Sequence, residues 1–259
     1  MLKICCADSN AYLKTLDENS VDLTITSPPY DNLRVYTGEN VWTFDLFKNI
    51  SSQIFRVTKP GGVVVWVVND ATVDGSETGT SFRQALHFMQ IGFRLHDTMI
   101  WDKGVVSAVG ALKTRYAPVF EYMFVFSKGS PKTFTPLKDR KTKWGGTVKS
   151  GTIRQKDGTT KPMSKSMVIN EYGQRFNIWQ IYPQRQRGDC HPAPFPESIA
   201  RDHILSWSNE GDLILDPFMG SGTTGKVAKE TNRNFIGIEI SPKYYQMAKQ
   251  RILAAKKGK

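Results

Sequence analysis

The stretch DPFMGSGTTGKV, Asp216 to Val227, decides the fold because it can be parsed as two different machines. From Gly220 it nearly spells the phosphate loop G-x-x-x-x-G-K-[ST], with Gly220, Gly225 and Lys226 in register. That loop needs a hydroxyl after its lysine to hold magnesium, and Val227 stands there. From Asp216 it is the end of a short apolar strand, LILD, followed by a glycine turn and a helix beginning near Thr223. Open α/β sheets bind ligands at that place. Glycines let a ligand approach the backbone, and the helix start offers N–H groups to a carboxylate or phosphate. Nineteen residues beyond Gly220, the strand FIGIE ends in Glu239. An acidic residue at about that distance suits two ribose hydroxyls, although a plain surface strand end would look the same. A ribose-bearing cofactor without an obligatory triphosphate fits better than a nucleoside triphosphate.

Seven runs read as strands: LKICC, VDLTIT, GVVVWVVN, LHDTMIW, VFEYMFVFS, LILD and FIGIE. Several are apolar almost throughout, as strands covered on both faces are. Between them Phe47, Ile50 and Ile54 fall at helical spacing, and Ile199, His203 and Leu205 more loosely. KPGG, Lys59 to Gly62, ends one helix and launches a strand. This alternation predicts an α/β fold with a doubly wound, mainly parallel, seven-stranded sheet.

The charge is unevenly placed. From Lys128 to Asp189 there are 14 Lys and Arg against 4 Asp and Glu, so nearly all of the net charge of +11 lies in that stretch. It is rich in Gly, Thr and Ser, with Phe134, Trp144, Tyr172 and Trp179 scattered through it. A solvated face would also be basic, but this concentration favours a polyanionic partner. Its length argues for an insertion at one end of the sheet rather than a linker. The expected organisation is therefore a first catalytic segment 1–128, a basic insertion 129–189 and a cofactor-binding segment 190–259. No apolar run is long enough to span a membrane, and MLKICCADSN meets an Asp too early for a signal peptide. Cys5, Cys6 and Cys190 form no even framework, and the adjacent pair Cys5 and Cys6 sits in an apolar strand-like run, so buried free thiols there, a reducing compartment and a soluble, cytoplasmic protein are expected.

A second motif lies upstream. VDLTIT runs into Ser27-Pro28-Pro29-Tyr30. Alone, this is a strand stopped by prolines; the prolines also remove donors and hold their carbonyls rigidly. With the glycine turn, the pair resembles the DNA amino-methyltransferases, whose catalytic tetrad is [DNS]-P-P-[YFW] and whose S-adenosylmethionine turn is D-P-F-x-G-S-G-T-T. The tetrad precedes the turn, as in the permuted β-group order. FRVTKPGGVVVW, RYAPVFEYMFVFSKG and HPAPFPE are similar to flanking segments of the family. The resemblance implies a Rossmann-like methyltransferase sheet with an inserted target recognition region. It also implies S-adenosylmethionine held by Asp216, Phe218, Gly220, Gly222, Thr223, Thr224 and Glu239, with Asp8 on the adenine amino group. The family has Gly-Asp at that last place; here it is Ala7-Asp8. The implied partner is double-stranded DNA, with Lys141, Lys143 and Arg154 in the basic stretch and Arg34 after the tetrad as candidate contacts. A cognate restriction endonuclease and a homodimer are further partners that such systems suggest.

The chemistry suits these residues. An exocyclic amine is a poor nucleophile because its lone pair is delocalised into the ring. Acceptors at the Ser27 hydroxyl and the Pro28 carbonyl would pull the nitrogen towards sp³ and aim it, and Tyr30 would stack on the extruded base. The sulfonium is already a leaving group, so no metal is required. Methylation at cytosine carbon 5 needs a thiolate instead, and none of the three cysteines follows a proline or sits in a tetrad-like loop. Serine at the first tetrad position is the family's commoner choice for cytosine N4, and aspartate for adenine N6. N4 is therefore favoured, with adenine N6, an RNA methyltransferase and a silent DNA-binding relative as alternatives. His191 reads as structural rather than as a metal ligand, and Lys226 as a solvated helix residue.

Overall fold

The computed structural model describes residues 1–29, 42–104, 114–163, 166–183 and 196–258. They form two compact units, one of Met1–Thr135 with Asn177–Lys259 and the other of Pro136–Phe176.

The larger unit is built on one sheet. Its strands are β1 (Leu2–Cys6), β2 (Val21–Thr26), β3 (Thr58–Val68), β4 (Arg94–Asp102), β5 (Phe120–Ser127), β6 (Ile178–Gln180), β7 (Leu213–Asp216) and β8 (Asn234–Glu239). They lie in the order β1-β8-β7-β2-β3-β5-β4-β6. The pairs from β1 through to β3 are parallel, β5 is antiparallel to both β3 and β4, and β6 is parallel to β4. All seven expected strands are present, but among the described residues the sheet has eight. The addition is β6, three residues drawn from the expected insertion. It is held at the edge by Trp101, whose indole N–H donates to the Ile181 carbonyl at 2.8 Å.

Among the described residues six helices cover the sheet: α1 (Ser9–Leu13), α2 (Phe44–Val57), α3 (Thr80–Gln90), α4 (Glu197–Trp207), α5 (Thr223–Glu230) and α6 (Pro242–Ala254). Helix α2 starts where the Thr43 hydroxyl accepts from Leu46 N–H, and it buries Phe47, Ile50, Ile54 and Val57 at the expected three- and four-residue spacing. Phe47, Trp66, Phe88 and Phe126 make the aromatic centre of the core, with Phe88 stacked on Phe126 at 4.7 Å. Each such side chain contributes roughly 1.5–3 kcal/mol by leaving water. The one polar atom of Trp66 is satisfied, donating to Gln84 Oε1 at 2.8 Å.

Three local expectations are corrected. KPGG does not precede its strand but bulges within it: Val21 pairs with Thr58 and Leu23 next pairs with Val63, so Lys59–Gly62 are looped out of register. Gly61 takes φ +79° there, a value that favours glycine. Cys5 is only half-buried and Cys6 is exposed, because β1 is an edge strand less fully covered than the central ones. Lys128, counted with the basic stretch, is tied down by the Asn19 side chain and the carbonyls of Phe55 and Thr58. No described helix is long and apolar enough to cross a membrane.

The smaller unit is a β-ribbon. Three antiparallel pairs nest inside one another: 140–141 with 172–173, 148–149 with 167–168, and 152–154 with 160–162. At its tip Gln155 N–H donates to Thr159 O, and Asp157 accepts from the backbone and hydroxyl of Thr159. Arg175 and Asp139 pair near its base.

Candidate active site at the carboxyl edge of the sheet

Parallel strands deliver their C-terminal ends to one edge. Cys6 lies beside Glu239, and Asp216 beside Gly237. Strand β2, next to β7, carries Thr26 and then Ser27, Pro28 and Pro29. Residues far apart in sequence, Asp8, Ser27, Asp216 and Glu239, thus share one edge.

The glycine turn follows β7. Gly220 and Gly222 take φ +50° and +79°. A Cβ on Gly222 would come within 2.9 Å of the Ala248 Cβ, so the turn is seated closely on α6. Thr223 and Thr224, both buried, open α5. Phe218 packs edge-on against Trp42 at 5.3 Å and faces the core beside Trp66.

Asp216 is 2% exposed. Burial pushes its carboxyl up to about 6, against the Thr26 and Thr224 hydroxyls and the Phe218 N–H, which favour the charged form. Nearby Glu239 adds to the upward push. Asp216 Oδ1 accepts from Thr26 Oγ1 at 2.7 Å and from Phe218 N–H at 3.1 Å. Glu239 is also raised by burial, opposed by backbone N–H donors. Its two oxygens accept from Gly220 N–H at 2.8 Å and Ser241 N–H at 2.9 Å. A carboxylate offers about four acceptor positions. With backbone donors from Gly220, Ser241 and Ile240 holding it in place, Glu239 still has acceptor capacity to offer a hydroxyl. Asp8 caps α1 by accepting from Ala11 N–H at 2.8 Å, while Ala7 N–H donates to the Glu239 carbonyl at 3.0 Å.

Asp8, Asp216 and Glu239 make the edge acidic, which repels a triphosphate and suits a cationic, ribose-bearing cofactor. Lys226 is no phosphate ligand, nor is it simply solvated. It pairs with Glu197 at 2.6 Å and Glu230 at 2.9 Å.

Lys141, Lys143 and Arg154 are exposed on the ribbon, with the Lys143 ammonium 5.1 Å from the centre of the Trp144 ring. Tyr30, Arg34, Cys190 and His191 lie outside the described residues. Sequence reasoning missed Thr26, whose position before the tetrad was the available clue, and Ser9, whose hydroxyl donates to the Pro217 carbonyl. It also missed Arg251, which reaches the turn from α6.

A parallel-centred sheet with a glycine turn and acidic acceptors at its carboxyl edge defines a Rossmann-like, cofactor-binding α/β protein. Comparison with known proteins narrows the class. Residues 21–250 match the DNA methylase family of N6 and N4 methyltransferases, and the chain belongs to that family as an S-adenosylmethionine-dependent DNA amino-methyltransferase. It is 51% identical over 247 residues to the orphan methyltransferase M.BamHII of Bacillus amyloliquefaciens, covering 92% of this chain and 91% of that one. It is 30% identical to the type II methyltransferase M.HpaI of Haemophilus parainfluenzae, covering 96% and 74%. Among solved structures it superposes on an M1.HpyAVI–SAM complex with TM-score 0.65 and 24% identity, covering 97% and 99%.

Proposed function

We propose that this chain methylates N4 of a cytosine extruded from double-stranded DNA. The observation that carries the reading is the Thr26–Asp216 hydrogen bond. It joins the strand leading into Ser27-Pro28-Pro29 to the first residue of the glycine turn. An amine held at one and a methyl donor held at the other meet across neighbouring strands.

In this reading S-adenosylmethionine, when bound, supplies an electrophilic methyl group. Glu239 accepts the ribose hydroxyls, Asp8 accepts from the adenine amino group, and the turn from Asp216 through Phe218, Gly220 and Gly222 to Thr223 and Thr224 encloses the remainder. Ser27 Oγ and the Pro28 carbonyl accept the two amino hydrogens and aim the nitrogen lone pair; Pro29 stiffens the loop and Tyr30 stacks on the base. The nitrogen so aimed takes the methyl group that the bound cofactor supplies, and the surplus amino proton passes to the Ser27 hydroxyl as that hydroxyl gives its own proton to water. The choice of cytosine rests on serine, a weaker acceptor than aspartate, at position 27.

The basic insertion 129–189 reads the DNA, with segments 1–128 and 190–259 forming the catalytic part. Lys141, Lys143 and Arg154 on the ribbon and Arg34 after the tetrad contact phosphates. A two-stranded ribbon has a cross-section that the DNA major groove admits. Helix α3 leaves Phe82, Leu86 and Met89 exposed in a stripe that a homodimer would cover. M.BamHII is described as an orphan, so a dedicated nuclease gains no support from that relative.

The test is incubation with S-adenosylmethionine and mixed-sequence duplex DNA, digestion to nucleosides and mass identification of the product. N4-methylcytosine is expected. N6-methyladenine would keep the enzyme and refute the serine argument.

A further inference from the structure

The Arg251 guanidinium extends from α6 to the glycine turn, its side chain only 22% exposed. Nη1 donates to Ser221 Oγ and Thr223 Oγ1, both at 3.1 Å, and lies 3.4 Å from the Ser221 carbonyl oxygen. Nη2 donates to Glu197 Oε1 at 2.7 Å, and the other Glu197 oxygen takes Lys226. Burial alone would raise the Glu197 carboxyl; the hydrogen bonds from Lys226 and Arg251 overcome it and hold it below the ordinary range.

Ser221 and Thr223 flank Gly222, the left-handed residue from which α5 starts. Ala248, three residues before Arg251 on the same helix, fills the space beneath Gly222. Helix α6 therefore fixes the turn twice, by filling the space below it and by holding the residues on either side. Two positive-φ glycines leave a chain many alternatives to this conformation, and binding weakens in proportion to the fraction of molecules outside the competent one. A guanidinium can span the two hydroxyls and the carboxylate together, whereas an ammonium is a point charge on a flexible stem.

We propose that Arg251, seated on Glu197, is a positioning residue for the methyl donor: it keeps the glycine turn in its binding-competent shape without touching the cofactor. The inference rests on the turn being the cofactor site. The experiment measures the dissociation constant of S-adenosylmethionine by calorimetry on full-length variants, together with Tm and with kcat at saturating cofactor. Arg251→Met is expected to weaken binding about ten-fold while kcat stays within about two-fold of the parent. Arg251→Lys should recover part of the loss. Arg201→Met, which removes the Arg201–Glu230 pair at the far end of the same charge cluster, should lower Tm comparably and leave the dissociation constant unchanged.

Parental affinity in Arg251→Met overturns the proposal. So does an equal loss in Arg201→Met, which would reduce Arg251 to one more stabilising pair. If Arg251→Met does not fold, Arg251→Lys decides, since its dissociation constant must exceed the parent's. Glu239→Ala separates the two levels. If it binds normally, the turn is not the cofactor site; if it fails while Arg251→Met binds normally, only the positioning role is lost.

Discussion

The glycine turn and the β-ribbon handle charge in opposite ways. At the turn, Asp216 and Glu239 are buried and answered by hydroxyl and backbone donors, and Lys226 and Arg251 are answered by Glu197 and Glu230. On the ribbon, Lys141, Lys149, Arg154, Lys156 and Lys161 are exposed, with no ion pair among the described residues, and Asp157 turns its Oδ1 to the tip turn. In the proposed reading, a methyl donor of fixed chemistry is suited by a buried, pre-formed turn. A polyanion of varied sequence is met better by a solvated arm whose cations are uncommitted.

The sharpest way to break this contrast is at Ser27, which should matter to chemistry alone. Ser27→Ala is expected to lower kcat about a hundred-fold at saturating DNA, with cofactor affinity unchanged. Methyl transfer at the parental rate would remove Ser27 from the mechanism. The ribbon comes next. Replacing Arg154, Lys156 and Lys161 together by alanine should raise the DNA KM about ten-fold or more and reduce the logarithmic salt slope of binding by about 3. Calorimetry should find the same cofactor affinity as the parent. A DNA affinity indifferent to salt in the parent itself would mean that the ribbon's charge is ornamental.

Smaller effects test the buried acid. The Asp216 pKa is raised when folded, so its contribution to stability is greatest below the unfolded carboxylate value and disappears as pH rises through about 6. Asp216→Asn keeps an acceptor for Thr26 and Phe218 while removing that cost. It should stabilise the cofactor-free protein at pH 8 by at most about 3 kcal/mol, an advantage that vanishes towards pH 4. Thermal unfolding of both proteins across that range checks the sign; a variant that is less stable at pH 8 contradicts it. Cofactor affinity of the parent should fall modestly as pH drops through about 6, where Asp216 takes up its proton. A flat profile would mean that the charge of this edge is irrelevant to the ligand.

Much of the larger unit was legible in its residues. Buried parallel strands read as continuous apolar runs, and Val63–Val68 or Phe235–Glu239 can hardly be read otherwise. The turn was legible because its glycines have a local reason to be there. Contacts made across helices were not. Glu197 and Arg251 are 54 residues apart, and nothing near either announces the other before α4, α5 and α6 have packed. Strand β6 escaped notice because three residues give too few alternations to count. The ribbon escaped because its pairs are only two or three residues long and exposed on both faces, which removes the periodicity that burial imposes. KPGG misled for a different reason: the same residues mark a helix end and a bulge.

The nested register of the ribbon has an evolutionary consequence. Each pair closes inside the one before it, from 140–141 with 172–173 out to 152–154 with 160–162. Deleting matched residues from both legs shortens such an arm while every remaining pair keeps its partner. Its reach can therefore change between descendants by length as well as by side chain, and the catalytic sheet need not be redesigned each time.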